Sequence, residues 1–202
     1  MTLNAQAIAG YTAQAPALIA QYNAVASDMI YAGVRDLMPP APARVLDVGA
    51  GSGRDVEWCT AQGHTVTAVD PVAAFLAETM RRAPAATILR DQLPDLTQVR
   101  GRYGLILVNG VWQHIAPVDR PAALARLAQL LEPGGRLILS LRHGVGHMDR
   151  PAAPIDADAT VLQATAQRLT ILRRVETPAW QPGNRASGVT WTWLVLEQER
   201  AA

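Results

Sequence analysis

Lysine is missing altogether, and all 18 basic residues of the 202-residue chain are arginines. That excludes lysine Schiff-base chemistry and the lysine of a phosphate-binding P-loop. The single cysteine, Cys59, excludes an intrachain disulfide and a cysteine-based zinc cluster, and points to a reducing, cytoplasmic setting. No apolar run reaches the ~18 residues of a membrane span, and the amino terminus lacks the basic start of a secretory signal. A formal charge of +1 gives no basic footprint for nucleic acid, so a small-molecule partner fits better. Charge is also absent before Asp28, where residues 5–38 are rich in Ala, Ile, Leu and Tyr. This stretch reads as two or three helices with a break near Pro16, packed on the rest as a cap. A membrane-surface helix would carry arginines along its polar face. With no repeat and no linker, residues 1–202 are expected to form one domain, a helical cap (1–40) on a core (41–202).

After "PPAPA" the pattern changes. Short runs rich in Val, Ile and Leu at 44–49, 65–70, 87–91, 103–109 and 136–141 suit strands buried on both faces. Helical patterns at 54–62, 73–83 and 120–131 alternate with them, the last closed by "EPGG". Alternation of this kind predicts an α/β fold with a parallel sheet covered on both sides. The tail differs: a helix at 157–168, then strands at 170–176 and 189–198 around the loop "TPAWQPGNRASG", implying an antiparallel pair at one edge.

"VLDVGAGSGRDVEW" (45–58) joins the first strand to the first helix and holds glycine at 49, 51 and 53. Each fixed glycine costs roughly 0.5–1 kcal/mol of backbone entropy relative to alanine, so three together need a cause. In doubly wound sheets the first strand-to-helix turn is where ligands bind, and bare backbone lets a ligand touch it. Asp70 closes the second strand roughly 20 residues on, where a carboxylate accepts from ribose hydroxyls. Together these features indicate a nucleoside-containing cofactor. The order Asp47-x-Gly49-x-Gly51-x-Gly53 departs from the dinucleotide fingerprint G-x-G-x-x-G.

That order resembles the first motif of class I S-adenosylmethionine-dependent methyltransferases, and the likeness continues from about residue 43 to 143. "VTAVDP" is similar to the family's ribose-binding segment, "LRDQLPDL" to its adenine-contacting one, "LILVNGVWQHI" to the motif after strand four, and "LLEPGGRLILSLRHG" to the helix, turn and fifth strand. The resemblance implies a Rossmann-like sheet of seven strands in the order 3-2-1-4-5-7-6 with an antiparallel edge strand, and S-adenosylmethionine as cofactor. It further implies that Gly49, Ala50 and Gly51 pass under the methionine part, with Asp47 orienting it and Asn109 beside it. Asp70 takes the ribose hydroxyls with Pro71 alongside, Asp91 accepts from the adenine amino group, and Gln92 and Leu93 complete the adenine side.

Methyl transfer asks little beyond holding a nucleophile in line and excluding water; a base is needed only if the nucleophile starts protonated. The candidates His114 and His143 follow strands four and five, as does His147. His114 is equally suited to shaping its loop, while His64 lies at the opposite edge. Arg142 suits a carboxylate fork or ordinary surface. Tyr11, Tyr22, Trp191 and Trp193 read most simply as packing, and Cys59 as buried and inert. His143, His147 and Asp149 lack a fourth neighbour for a metal. The signatures of nucleobase-amino, pyrimidine-carbon and arginine methyltransferases are absent, which leaves O, N or S of a small molecule as acceptor. Two alternatives remain: a non-catalytic methyltransferase-like subunit, and a nicotinamide-dependent oxidoreductase.

Overall fold

The computed structural model describes residues 1–200. A long helix α1 (Leu3–Asn23) and a short α2 (Ser27–Ile30) precede the sheet. Then β1 (Arg44–Val48), α3 (Arg54–Ala61), β2 (Thr65–Val69), α4 (Ala73–Arg82) and β3 (Thr87–Leu89) alternate, followed by β4 (Tyr103–Val108), α5 (Arg120–Leu130) and β5 (Leu131–His143). The chain ends in α6 (Ala157–Thr165), β6 (Leu169–Pro178), α7 (Pro182–Ala186) and β7 (Thr190–Gln198). The seven strands run in the order 3-2-1-4-5-7-6. All pairs are parallel except those of β7 with β5 and β6.

Alternation along each strand divides the core in two. Leu46, Val48, Ile106, Val108, Leu137 and Leu139 point to the side covered by α5 and α6, against Leu124, Leu127 and Ala164. Val45, Leu105, Leu107 and Ile138 point the other way, against Tyr31, Val56 and Cys59. Burial on both faces is why these strands read as unbroken apolar runs. After β3 the chain returns to the far side of β1, so the connections diverge between β1 and β4 and leave a crevice at their carboxyl ends.

Two expectations from sequence are corrected. Pro16 does not break the amino-terminal helix; it lies inside α1, which is continuous from Leu3 to Asn23. Packing overrides local propensity here, because Ala15 and Leu18 are buried against Val72 and Phe75 while Pro16 itself faces solvent. The helix still loses one backbone bond at the proline. Pro16→Ala is therefore expected to raise stability by about 1–2 kcal/mol, read from urea unfolding, with unfolded-state entropy offsetting part of the gain. The loop between β6 and β7 holds the short helix α7, opened by Pro182. No helix among the described residues is long and apolar enough to cross a membrane.

Candidate functional site

At the carboxyl ends of β1, β2 and β4 lies a cavity of about 450 Å³, within the ordinary range for a small-molecule site. Its floor is the β1–α3 turn. Gly49 and Ala50 donate backbone N–H bonds to the Val69 carbonyl at 2.8 and 3.0 Å, which ties the turn to β2. Gly49, Gly51 and Gly53 all have positive φ, at 79°, 54° and 74°. They do three different jobs. A Cβ on Gly49 would lie 2.2 Å from a Val111 methyl carbon, and one on Gly53 would lie 2.6 Å from the Thr79 Cα, so these two permit loop and helix packing. Gly51 lines the cavity, its nearest neighbour across from a Cβ being the Tyr22 ring at 3.6 Å. Bare main chain therefore faces an aromatic lid.

Asp70 sits beside this floor, 5% exposed. Its Oδ2 accepts from Gly51 N at 2.9 Å and its Oδ1 from Val72 N at 2.8 Å. Each oxygen keeps a lone pair for a ligand. Burial raises the Asp70 carboxyl to about 6, against the lowering effect of the two N–H bonds. Pro71 and Asn109 also line the cavity. Asn109 is fixed by Ser140, whose Oγ donates to Oδ1 at 3.0 Å, and by its own donation to Asp55 Oδ2 at 3.3 Å.

At one side of the floor is a charged cluster that the sequence did not announce. Arg54 grips Asp55 through Nε (2.8 Å) and Nη2 (3.0 Å), Ser27 Oγ donates to Asp55 at 2.6 Å and Tyr31 Oη at 2.9 Å. Burial works to raise the Asp55 carboxyl, but Arg54 and these bonds outweigh it and hold it below the ordinary value. Asp47 goes the other way. Burial, then the charge of Asp55, pushes its carboxyl well above the usual range, and its Oδ2 has no partner. An Asp with a raised folded pKa favours folding only below the unfolded value and destabilises progressively as pH rises. Asp47→Asn is therefore expected to stabilise the protein increasingly between pH 5 and pH 8, as read from denaturant midpoints at about three pH values.

His114 lies at the opposite wall, 7% exposed. Its Nδ1 is 2.8 Å from the Pro151 carbonyl, which can only accept, so Nδ1 carries the proton and Nε2 accepts from Tyr11 Oη at 2.8 Å. Burial lowers its pKa, so the ring is neutral near pH 7. Tyr11 in turn is raised by burial and keeps its proton.

The structure thus brings together Gly49, Ala50, Gly51, Asp70, Pro71, Asn109 and His114 around one cavity. It separates five other residues expected there. Asp47 lies below the floor, 2% exposed, outside the cavity lining. Asp91 closes a turn, accepting from Gln92 N (2.9 Å) and Gln98 N (2.6 Å), and with Gln92 and the buried Leu93 it lies outside the lining. His143 is on the other face of the sheet from Arg142, as strand alternation requires, and bonds Thr192 Oγ1 at 2.8 Å in a separate surface groove. Conversely Tyr11, Tyr22, Trp191 and Trp193, read as packing, line the cavity, as do Arg150 and Trp180, for which the sequence offered no signal.

The chain is similar to known methyltransferases. A family model described as a methyltransferase domain matches residues 22–196. An uncharacterized methyltransferase of Mycobacterium tuberculosis is 32% identical over 101 residues, covering 50% of this chain and 40% of that protein. A ubiquinone biosynthesis O-methyltransferase of Nitrobacter winogradskyi is 35% identical over 109 residues, covering 52% and 41%. The chain therefore spans less than half the length of these relatives. Among solved structures, the 1,6-didemethyltoxoflavin-N1-methyltransferase of Burkholderia thailandensis, with its namesake and S-adenosylhomocysteine bound, superposes with a TM-score of 0.63 at 22% identity, covering 91% of this chain and 88% of that one.

Proposed function

The chain belongs to the methyltransferase domain family of class I S-adenosylmethionine-dependent enzymes, and from that premise we propose that it moves a methyl group from this cofactor to an O, N or S atom of a small molecule. One observation carries the reading. The Asp70 carboxylate, with a free lone pair on each oxygen, stands next to bare main chain at Gly51 inside a cavity of about 450 Å³. The residues present suit an adenosyl ligand: Asp70 for the ribose hydroxyls, Gly49–Gly51 for the methionine part, Asn109 beside it, and Pro71 and Val72 as apolar wall. When bound, S-adenosylmethionine supplies an electrophilic methyl carbon whose bond to sulfur breaks, its electrons staying on sulfur, as the acceptor atom forms its own bond to that carbon.

The chain's residues do the rest by placement and proton handling. Tyr22, whose ring lies against Gly51, and Phe75 beside it line the cavity and limit the access of water. For an acceptor that starts protonated, the Tyr11 oxygen receives that proton while the Tyr11 proton passes to His114 Nε2. The resulting imidazolium is held by the Nδ1–H bond to the Pro151 carbonyl. His143 lines a separate surface groove, and this reading assigns it no part in the step.

Incubation of the protein with S-adenosylmethionine and a panel of phenols, carboxylic acids, amines and thiols tests the reading. Acceptor-dependent release of S-adenosylhomocysteine is expected. Tight cofactor binding with no acceptor dependence across the panel would instead favour a non-catalytic binding subunit.

A further inference from the structure

The half of the cavity away from Asp70 has an unusual charge inventory. Three guanidinium groups line the cavity, those of Arg54, Arg142 and Arg150. Arg54 is neutralised by Asp55. Arg142 and Arg150 have no carboxylate within ion-pairing distance among the described residues: Arg142 donates only to the Gly144 and Val145 carbonyls, at 3.3 and 2.9 Å. Arg150 has a buried Nε with no partner, as does the indole Nε1 of Trp180. Unpaired buried donors of this kind are costly unless something accepts from them.

Arg150 is not a stray surface residue. Its loop lies so close to α1 that a Cβ on Gly10 would fall 1.8 Å from the Asp149 carbonyl oxygen. Gln14 donates to Asp149 Oδ2 at 3.0 Å, and the Arg150 guanidinium carbon sits 5.2 Å from the centre of the Tyr11 ring. Helix, loop and ring together aim this cation beside the Tyr11–His114 pair. Burial, with some repulsion from Arg150, also lowers the pKa of Arg142, so the two cations sense each other and an anion between them relieves both. Indole side chains complete the wall: Trp180 and Trp191 are half-buried there, and Trp193 is buried with its N–H already given to Thr177.

We propose that the methyl acceptor is a small conjugated carboxylic acid, its carboxylate held between Arg142 and Arg150 and its planar body against Trp180 and Trp191. A carboxylate conjugated to a ring shares the ring's plane, so one orientation satisfies both the stacking surface and the guanidinium forks. A tetrahedral phosphate does not combine the two. The inference rests on the methyltransferase reading and deepens it.

Calorimetry on the protein saturated with S-adenosylhomocysteine tests it, with benzoate, 4-hydroxybenzoate and trans-cinnamate as probes. Their primary amides, cyclohexanecarboxylate and inorganic phosphate serve as comparisons. At least one planar acid is expected to bind, its amide about tenfold or more weaker, and cyclohexanecarboxylate and phosphate weaker too. Arg150→Met, which keeps the stem on Gly10, and Arg142→Lys are each expected to weaken the acid by about tenfold or more while leaving affinity for S-adenosylhomocysteine intact. Amides that bind as well as acids, phosphate that binds as tightly, or an absence of binding by every planar acid would overturn the proposal; the acid–amide comparison needs no variant to fold. Failure of S-adenosylhomocysteine itself to bind would remove the methyltransferase reading and this one with it. Bound S-adenosylhomocysteine with indifference to the carboxylate removes only this one.

Discussion

Asp70→Ala is expected to weaken binding of S-adenosylmethionine by about 100-fold or more, because two hydroxyl bonds to a charged acceptor, each ~1.5–3 kcal/mol, disappear together. The same change frees the Gly51 and Val72 amides that Asp70 now holds, so the floor of the site loosens as well. Asp70→Asn keeps the shape and one acceptor oxygen, and is expected to fall between the alanine variant and the parent. The pH dependence gives an independent check. Since burial raises this carboxyl to about 6, affinity is expected to decline as pH falls through that value, where the charged acceptor is lost. The asparagine variant should show a flat profile over the same range. In the unliganded protein the sign reverses. A raised folded pKa makes ionised Asp70 a cost that appears as pH rises from the unfolded value toward about 6, so the empty protein should lose part of its stability over that interval. A residue that destabilises its own fold yet is required for binding is what a ligand-facing carboxylate should look like.

Arg54→Met carries the largest expected effect on folding, a loss of about 3–5 kcal/mol, because it strands a buried carboxylate. Both partners are nearly inaccessible, with side chains 15% and 8% exposed, and Arg54 also donates to the Tyr22 carbonyl at 3.1 Å. Through Asp55 the guanidinium supports Ser27 and Tyr31 of the amino-terminal segment and Asn109 at the end of β4. One substitution therefore slackens cap and site at once. Without Arg54 only the Ser27 and Tyr31 bonds oppose the burial of Asp55, so its pKa rises and the stability loss shrinks on acidification toward the unfolded value. Thermal and urea unfolding at pH 5 and pH 8 check both points. The double variant with Asp55→Asn should recover part of the loss; a single-variant loss below about 1 kcal/mol would show that the pair is not the buried ion pair described.

The parallel core was legible because strands buried on both faces leave continuous apolar runs, and β1, β2 and β4 need nothing else to be found. The edge of the site was not. Pro16 signals a break in any local reading, and only burial of Ala15 and Leu18 against α4 keeps the helix whole. Three spaced glycines look equivalent in sequence, yet the Val111 side chain and the α4 backbone at Thr79 decide two of them, and both lie far along the chain. Asp91 shows what a motif leaves unsaid: the sequence does not reveal that its two oxygens accept from Gln92 N and Gln98 N and so shape a turn outside the cavity lining. Arg150 and Trp180 come from irregular segments without periodicity, where only tertiary contact with Tyr11 and the cavity gives them meaning. His143 and Arg142 are adjacent in sequence but on opposite faces of β5, a one-residue distinction that depends on strand register with β7.

A crystal structure with S-adenosylhomocysteine bound tests the central claim most directly. Both ribose hydroxyls should lie within hydrogen-bond distance of Asp70, with the methionine part over Gly49–Gly51 and the sulfur turned toward Tyr11 and His114. A nucleoside bound away from Asp70, or no ligand in this crevice at saturating concentration, would contradict it.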